Sequence, residues 1–108
     1  MANAFKNYPT QDIGLTNTAV FTGPVGAQTT VIGVSIANKF TQPIEVDFFI
    51  SISGSNTYIV KGATLPKGSA LIPVGGDQKL VVEAGDILYV TSNTDTSVDV
   101  LVSTLELS

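Results

Sequence analysis

The sequence predicts an all-β chain, a single antiparallel β-sandwich of about eight strands, of the jelly-roll or immunoglobulin-like kind. Three observations predict it. Gly and Pro recur at roughly ten-residue intervals, the spacing of turns between short strands. The stretches between them alternate apolar and polar residues with period two, as half-buried strands do. No window keeps a 3.6-residue apolar period with capping residues at its ends, so helix is not expected. At 108 residues the chain has the size of one domain.

The elements follow in order. Residues 1–12 read as a polar N-terminal arm holding two aromatics, Phe5 and Tyr8, ahead of a sandwich domain at 13–108. Such a terminus is ordered only when something holds it. The residues leave two readings open: the arm packs on its own domain, or it crosses to a neighbouring subunit. The first strand lies near Thr18–Thr22. The second is Thr29–Asn38, where Ile32, Val34 and Ile36 alternate with other residues. The third is the clearest, with Ile44, Val46, Phe48, Ile50 and Ile52 alternating with Glu45, Asp47, Phe49 and Ser51. Gly54-Ser55-Asn56 reads as a hairpin loop, and the fourth strand as Thr57–Lys61. Leu65-Pro66-Lys67-Gly68 is a turn in which Pro presets φ. The fifth strand is Ala70–Val74, ended by Gly75-Gly76-Asp77. The sixth is Lys79–Glu83, closed by Ala84-Gly85-Asp86, where Gly85 suits a positive φ and Asp86 is its polar partner. Ile87–Ser92 and Val98–Leu107 complete the set, joined by the turn Asn93-Thr94-Asp95-Thr96. The missing Cys…Trp…Cys pattern argues against an antibody-type domain.

Composition removes whole classes of chemistry. Cys, His, Trp and Arg are absent. That leaves no thiolate, no imidazole base, no Cys/His metal cage and no guanidinium clamp for phosphate or carboxylate. The many Ser and Thr lack a base partner and suit strands and turns. Glu45 and Asp47 share a strand face about 7 Å apart, but no cleft-forming insertion accompanies them, and a solvated outer face explains them. Asp77, Asp86, Asp95 and Asp99 sit in or beside turns without the close spacing that calcium needs. Gly75-Gly76 lacks the following helix of a phosphate cradle. No catalytic, cofactor-binding or metal-binding residue is therefore assigned. Five Lys against nine Asp and Glu give a net charge of -4, which disfavours nucleic acid and anionic membranes as partners. Met1–Thr10 has no apolar signal-peptide core, so synthesis in the cytoplasm is expected.

One pattern is left over. Several strands carry large apolar residues on both faces. Phe49 points opposite to Phe48. Leu101, Leu105 and Leu107 lie opposite Val98, Val100 and Val102. A sandwich has one core, so either a bulge swaps the faces or an apolar outer patch meets another chain. With Phe5 and Tyr8, the residues Phe49, Leu101 and Leu105 are the candidate subunit or partner contacts.

A resemblance extends this reading. The runs Gln28-Thr29-Thr30-Val31-Ile32-Gly33-Val34-Ser35-Ile36-Ala37-Asn38 and Tyr58-Ile59-Val60-Lys61 resemble strands of small β-sandwich virion structural proteins of tailed bacteriophages. So do Leu65-Pro66-Lys67-Gly68-Ser69, the closing stretch Pro73–Asp86 and Val98-Asp99-Val100. The likeness is to the marine T4-like, cyanophage type. It spans about residues 10–107 and contains no catalytic position. It implies a non-enzymatic virion protein made in the host bacterial cytoplasm. Foremost is a capsid decoration or cement protein that binds the major capsid protein or other virion proteins and forms a homo-oligomer, with a trimer favoured. A neck, tail or fibre accessory protein is the alternative, and a host-glycan-binding sandwich a further one.

Overall fold

The computed structural model describes residues 3–75 and 79–107. Gly76 and Asp77, read above as part of a turn, lie outside the described residues. The described residues contain nine strands: β1 (Asn3–Ile13), β2 (Thr18–Thr22), β3 (Gln28–Asn38), β4 (Ile44–Ile52), β5 (Ser55–Leu65), β6 (Ala70–Val74), β7 (Leu80–Val82), β8 (Ile87–Ser92) and β9 (Val98–Leu107). One sheet has the order β1-β9-β3-β6, with β7 also paired to β3. The other has the order β2-β8-β4-β5. All pairings are antiparallel.

This strand order decides between the two expected sandwiches in favour of the jelly roll. β6 and β7 occupy a single strand position. Val34 pairs Val74 and Val31 pairs Leu80, so both run along β3 in the same direction. Counted that way the fold has eight strand positions. Successive strands mostly alternate between the sheets, so neighbours within a sheet come from distant parts of the chain.

The alternation seen in the sequence sets the core. On β4, Ile44, Val46, Phe48 and Ile50 point inward. On β9, Val98, Val100 and Val102 do the same, and Val31, Val34 and Ile36 join them from β3. Leu88 and Val90 of β8, Phe21 of β2 and Ile13 of β1 complete the layer.

The N-terminal segment runs as β1, an edge strand of the first sheet. It pairs with β9 of its own chain from Asn3↔Leu107 to Ile13↔Val98. Pro9 suits that place, because an edge strand tolerates a residue with no N–H to donate. The hairpin after β4 is tighter than the sequence reading. Ile52 pairs with Ser55, so Ser53-Gly54 is a two-residue turn, and both residues have positive φ, 52° and 84°. Paired positive φ values match the right-handed twist of the flanking strands. β5 therefore starts at Ser55 and runs on to Leu65, well past Lys61.

Two loops are fastened across the end of the sandwich. Gly85 takes a positive φ of 89° as expected, and Asp86 accepts a hydrogen bond from the Glu83 N–H at 3.0 Å. Gly23 N–H donates to the Asp86 carbonyl, and Gly85 N–H donates to the Gly23 carbonyl. A Cβ on Gly23 would lie 2.1 Å from the Glu83 carbonyl oxygen, so this approach requires glycine. Asn38 closes the far end of β3. Its buried amide donates to the carbonyls of Gln42, Leu65 and Pro66 and accepts from the Phe40 N–H.

Candidate assembly surface

The two sheets treat their outer faces differently. On the β2-β8-β4-β5 sheet, Phe49 points away from the core yet is only 1% exposed. Tyr89 of β8 is its cross-strand partner and stacks on it at 5.3 Å. Tyr58 of β5 is the partner on the other side, with ring centroids 4.8 Å apart. The Lys61 ammonium lies 4.5 Å from the centre of the Tyr58 ring and 3.5 Å from Asp47. Asp47 in turn accepts the Gly62 N–H at 2.7 Å. Its charge, followed by contact with Tyr58, holds the Lys61 ammonium above its ordinary pKa. The expectation that Phe49 contacts a partner is thereby corrected. Tyr58 and Tyr89 cover it within its own chain.

The outer face of the β1-β9-β3-β6/β7 sheet has no such cover. Its register lines up side chains from four strand positions. One row runs Phe5, Leu105, Thr30, Val81, each paired with the next across β1, β9, β3 and β7. A second row holds Pro9, Leu101 and Ser35. Ile72 stands at its β6 end, next to Leu71, which packs on the core and pairs with Ile36. Between the rows lies a trough formed by Asn7, Ser103 and Gly33. The Ser103 hydroxyl donates to the Asn7 side-chain oxygen at 2.7 Å. No residue of these two rows and the trough carries a charge. Phe5 is 75% exposed, Ile72 66%, Val81 64% and Leu101 42%, while Leu105 is half-buried. At the Val81 end of the first row is an open cavity of about 470 Å³, lined by Gln28, Thr30, Val81, Glu83 and Leu107 among others.

Of the five predicted contacts, this face gathers Phe5, Leu101 and Leu105. Tyr8 points the other way. Its ring packs on Phe21 at 4.9 Å on the inner side, which is the own-domain reading of the N-terminal segment. Val81 and Ile72 were not singled out from the sequence. The signal was present, since Val81 sits in the apolar run Leu80-Val81-Val82 and Ile72 follows Leu71, the same doubling noted on the other strands.

Beneath the face, β1 is anchored by a polar cluster. The Tyr8 hydroxyl donates to the buried Glu106 carboxylate, Thr104 donates to it at 3.2 Å, and the Lys6 ammonium lies 3.6 Å away. The hydrogen bond to Glu106, then burial, then the Glu106 charge push the Tyr8 hydroxyl up to a pKa of about 12. At the other end of β1, Lys39 bridges Asp12 and Asp99, with Asp99 at 2.9 Å. Hydrogen bonds to Asp12 and then Asp99 hold the Lys39 ammonium above its usual range. Burial pushes the Asp99 carboxyl up, but the Lys39 hydrogen bond, the Asp12 N–H and the Lys39 charge outweigh it and hold Asp99 below the usual carboxylate range.

These contacts account for three of the six acidic residues that the sequence raised as candidates, and Asp77 lies outside the described residues. Asp47 holds Lys61 and Gly62, Asp86 closes its own turn, and Asp99 pairs with Lys39. Among the described residues no group of three His, Cys, Asp or Glu lies close enough to hold a metal ion.

Comparison with known proteins adds one finding. No protein family and no curated protein matches the chain. Among solved structures it is similar to a subunit of Bacillus endospore appendages, described as a novel family of disulfide-linked pili. That chain is 12% identical, with a TM-score of 0.57, and the match covers 98% of this chain and 88% of the other. At that identity the likeness is one of fold.

Proposed function

We propose that this protein is a non-enzymatic structural subunit that works by binding other protein copies through the outer face of its β1-β9-β3-β6/β7 sheet. One observation carries the reading. Phe5, Leu101, Val81 and Ile72 stand exposed in two uncharged rows of one face, while Phe49 on the opposite outer face is covered within the chain. Contiguous exposed apolar surface on a soluble domain marks an interaction site. The fold neighbour is a pilus subunit, which supports a structural role. These 108 residues contain no cysteine, so assembly of this chain relies on surface contacts alone.

The finer reading comes from the resemblance to tailed-phage virion proteins. It makes the particle a phage head and the protein its decoration or cement, with the apolar face docked in the assembly and the acidic remainder outward. The net charge of -4 suits a position outside the packaged nucleic acid. The test is a density gradient of particles from the producing cells, followed by quantitative mass spectrometry. Decoration predicts many copies of the chain in the dense, nucleic-acid-filled fraction, whereas a neck ring predicts few. Recovery only as free protein at the top of the gradient overturns the particle reading, and recovery with light filaments transfers the subunit to an appendage.

A further inference from the structure

The apolar face has a property that exposure alone does not give: its first row is complementary to itself. In order across the sheet it reads Phe5, Leu105, Thr30, Val81. Its β1 end carries the most exposed aromatic of the row, and its β7 end the cavity lined by Gln28, Thr30, Val81 and Leu107. Consider a second copy turned about a two-fold axis that lies in the interface, parallel to the strands, through the middle of the row. The row then meets its own reverse. Phe5 falls on the partner's Val81 and its cavity, and Leu105 falls on the partner's Thr30. In a two-fold interface each such contact occurs twice, so one fit supplies both ends.

We propose that two copies of this chain associate face to face through this sheet, with Phe5 of each seated in the Val81 cavity of the other. The inference rests on the structural-subunit reading above and names the partner of that face. Size favours a second copy. Four strand positions about 4.8 Å apart and about ten residues long at about 3.3 Å each give roughly 600 Å² of projected face per copy, counting the ends of the face that carry Glu83 and Asp99. Two copies bury about twice that, which reaches the lower limit of a stable specific interface, near 1,200 Å². The chain is acidic, so two copies repel at long range. The facing rows and trough are themselves uncharged, and each copy brings one carboxylate, Glu83 at the cavity, into the contact. Within the trough the Ser103 hydroxyl already donates to the Asn7 side-chain oxygen. The Lys39, Asp12 and Asp99 group lies beyond the second row, at the far end of β1.

The experiment is sedimentation equilibrium of the full chain with paired charge substitutions. The wild-type protein is expected as a dimer that dissociates on dilution. F5E places a carboxylate in the cavity beside the partner's Glu83 and should weaken the dimer at least tenfold. V81K should weaken it in the same assay. Mixing the two variants should restore a heterodimer. One contact then joins the introduced carboxylate to the introduced ammonium, and the other remains Phe5 on Val81. Both positions are exposed, and circular dichroism checks that each variant keeps its strand content. A wild-type monomer at all concentrations overturns the two-fold contact whatever the variants do. So does a trimer, a dimer indifferent to both substitutions, or a mixture that fails to recover. A monomer that still sediments with particles sinks this inference and leaves the structural-subunit reading standing. A dimer that behaves as described but never joins a particle does the reverse.

Discussion

Phe49 and Phe5 begin from the same local fact, a large ring pointing away from the core on a half-buried strand, and meet opposite ends. On the β2-β8-β4-β5 sheet the neighbouring strands bring Tyr58 and Tyr89 over Phe49, and Lys61 and Asp47 close the cluster with charge. On the other sheet the strand beside Phe5 brings Leu105, and beyond it stand Thr30 and Val81. None of these covers the ring, which stays 75% exposed. One outer face covers its central ring with residues of its own chain, and the other leaves its ring exposed. An apolar residue on the wrong side of a strand is therefore not an interface signal until its cross-strand neighbours are known.

The largest effect that tests this contrast is Phe49→Ala. It removes the middle of a buried ring stack and should destabilise the isolated chain by about 3–5 kcal/mol, as for other buried aromatics. Chemical denaturation measures it. A loss comparable to that of a surface substitution would show that Phe49 is not covered.

Next is Tyr8→Phe, which releases the inner anchor of the strand that carries Phe5. Losing a hydrogen bond to a charged, buried partner should cost about 1.5–3 kcal/mol. The substitution has a second signature. Tyr8 keeps its proton in the folded state up to about pH 12, against an ordinary value of 10.0. A raised folded-state pKa contributes stability that is complete below the unfolded value and fades as pH climbs through the folded one. Wild-type stability should therefore decline between about pH 10 and 12, and the raised pKa of Lys39 acts in the same direction. Spectrophotometric titration should show a tyrosine ionising near 12, and that step should vanish in the Tyr8→Phe variant.

The smallest effect on the chain's own stability is expected from Phe5→Ala. An exposed side chain away from caps and networks changes unfolding free energy by no more than about 0.5 kcal/mol. Its consequence should appear in association instead, as a loss of mass at a concentration where the wild type is paired. A large drop in monomer stability would place Phe5 in the fold rather than in the interface.

Much of the architecture was legible along the chain. Period-two alternation marked β4 and β9 and their inward faces, because a strand's side chains change sides at every residue whatever surrounds it. The Ala84-Gly85-Asp86 turn was legible for a similar reason, since the φ it needs is local. Other features were not. The N-terminal segment gave no alternating apolar signal beyond Phe5 and Tyr8, and its strand exists because β9 offers it a free edge. β5 reads as polar and carries bulges opposite Phe48, so its length became visible only once β4 was paired beside it.

What the sequence determined by itself is the β class, the near-complete set of strands, the absence of thiol, imidazole and guanidinium chemistry, and the surplus of apolar residues on both strand faces. The tertiary structure alone decided the jelly-roll order, the covering of Phe49, the exposure of Phe5, and the alignment of Phe5, Leu105, Thr30 and Val81 in one row. The reason is physical. Alternation and turn conformation depend on a residue and its immediate neighbours along the chain. Cover depends on which strand lies alongside, and in this fold most of those neighbours come from distant parts of the chain, which no local pattern records.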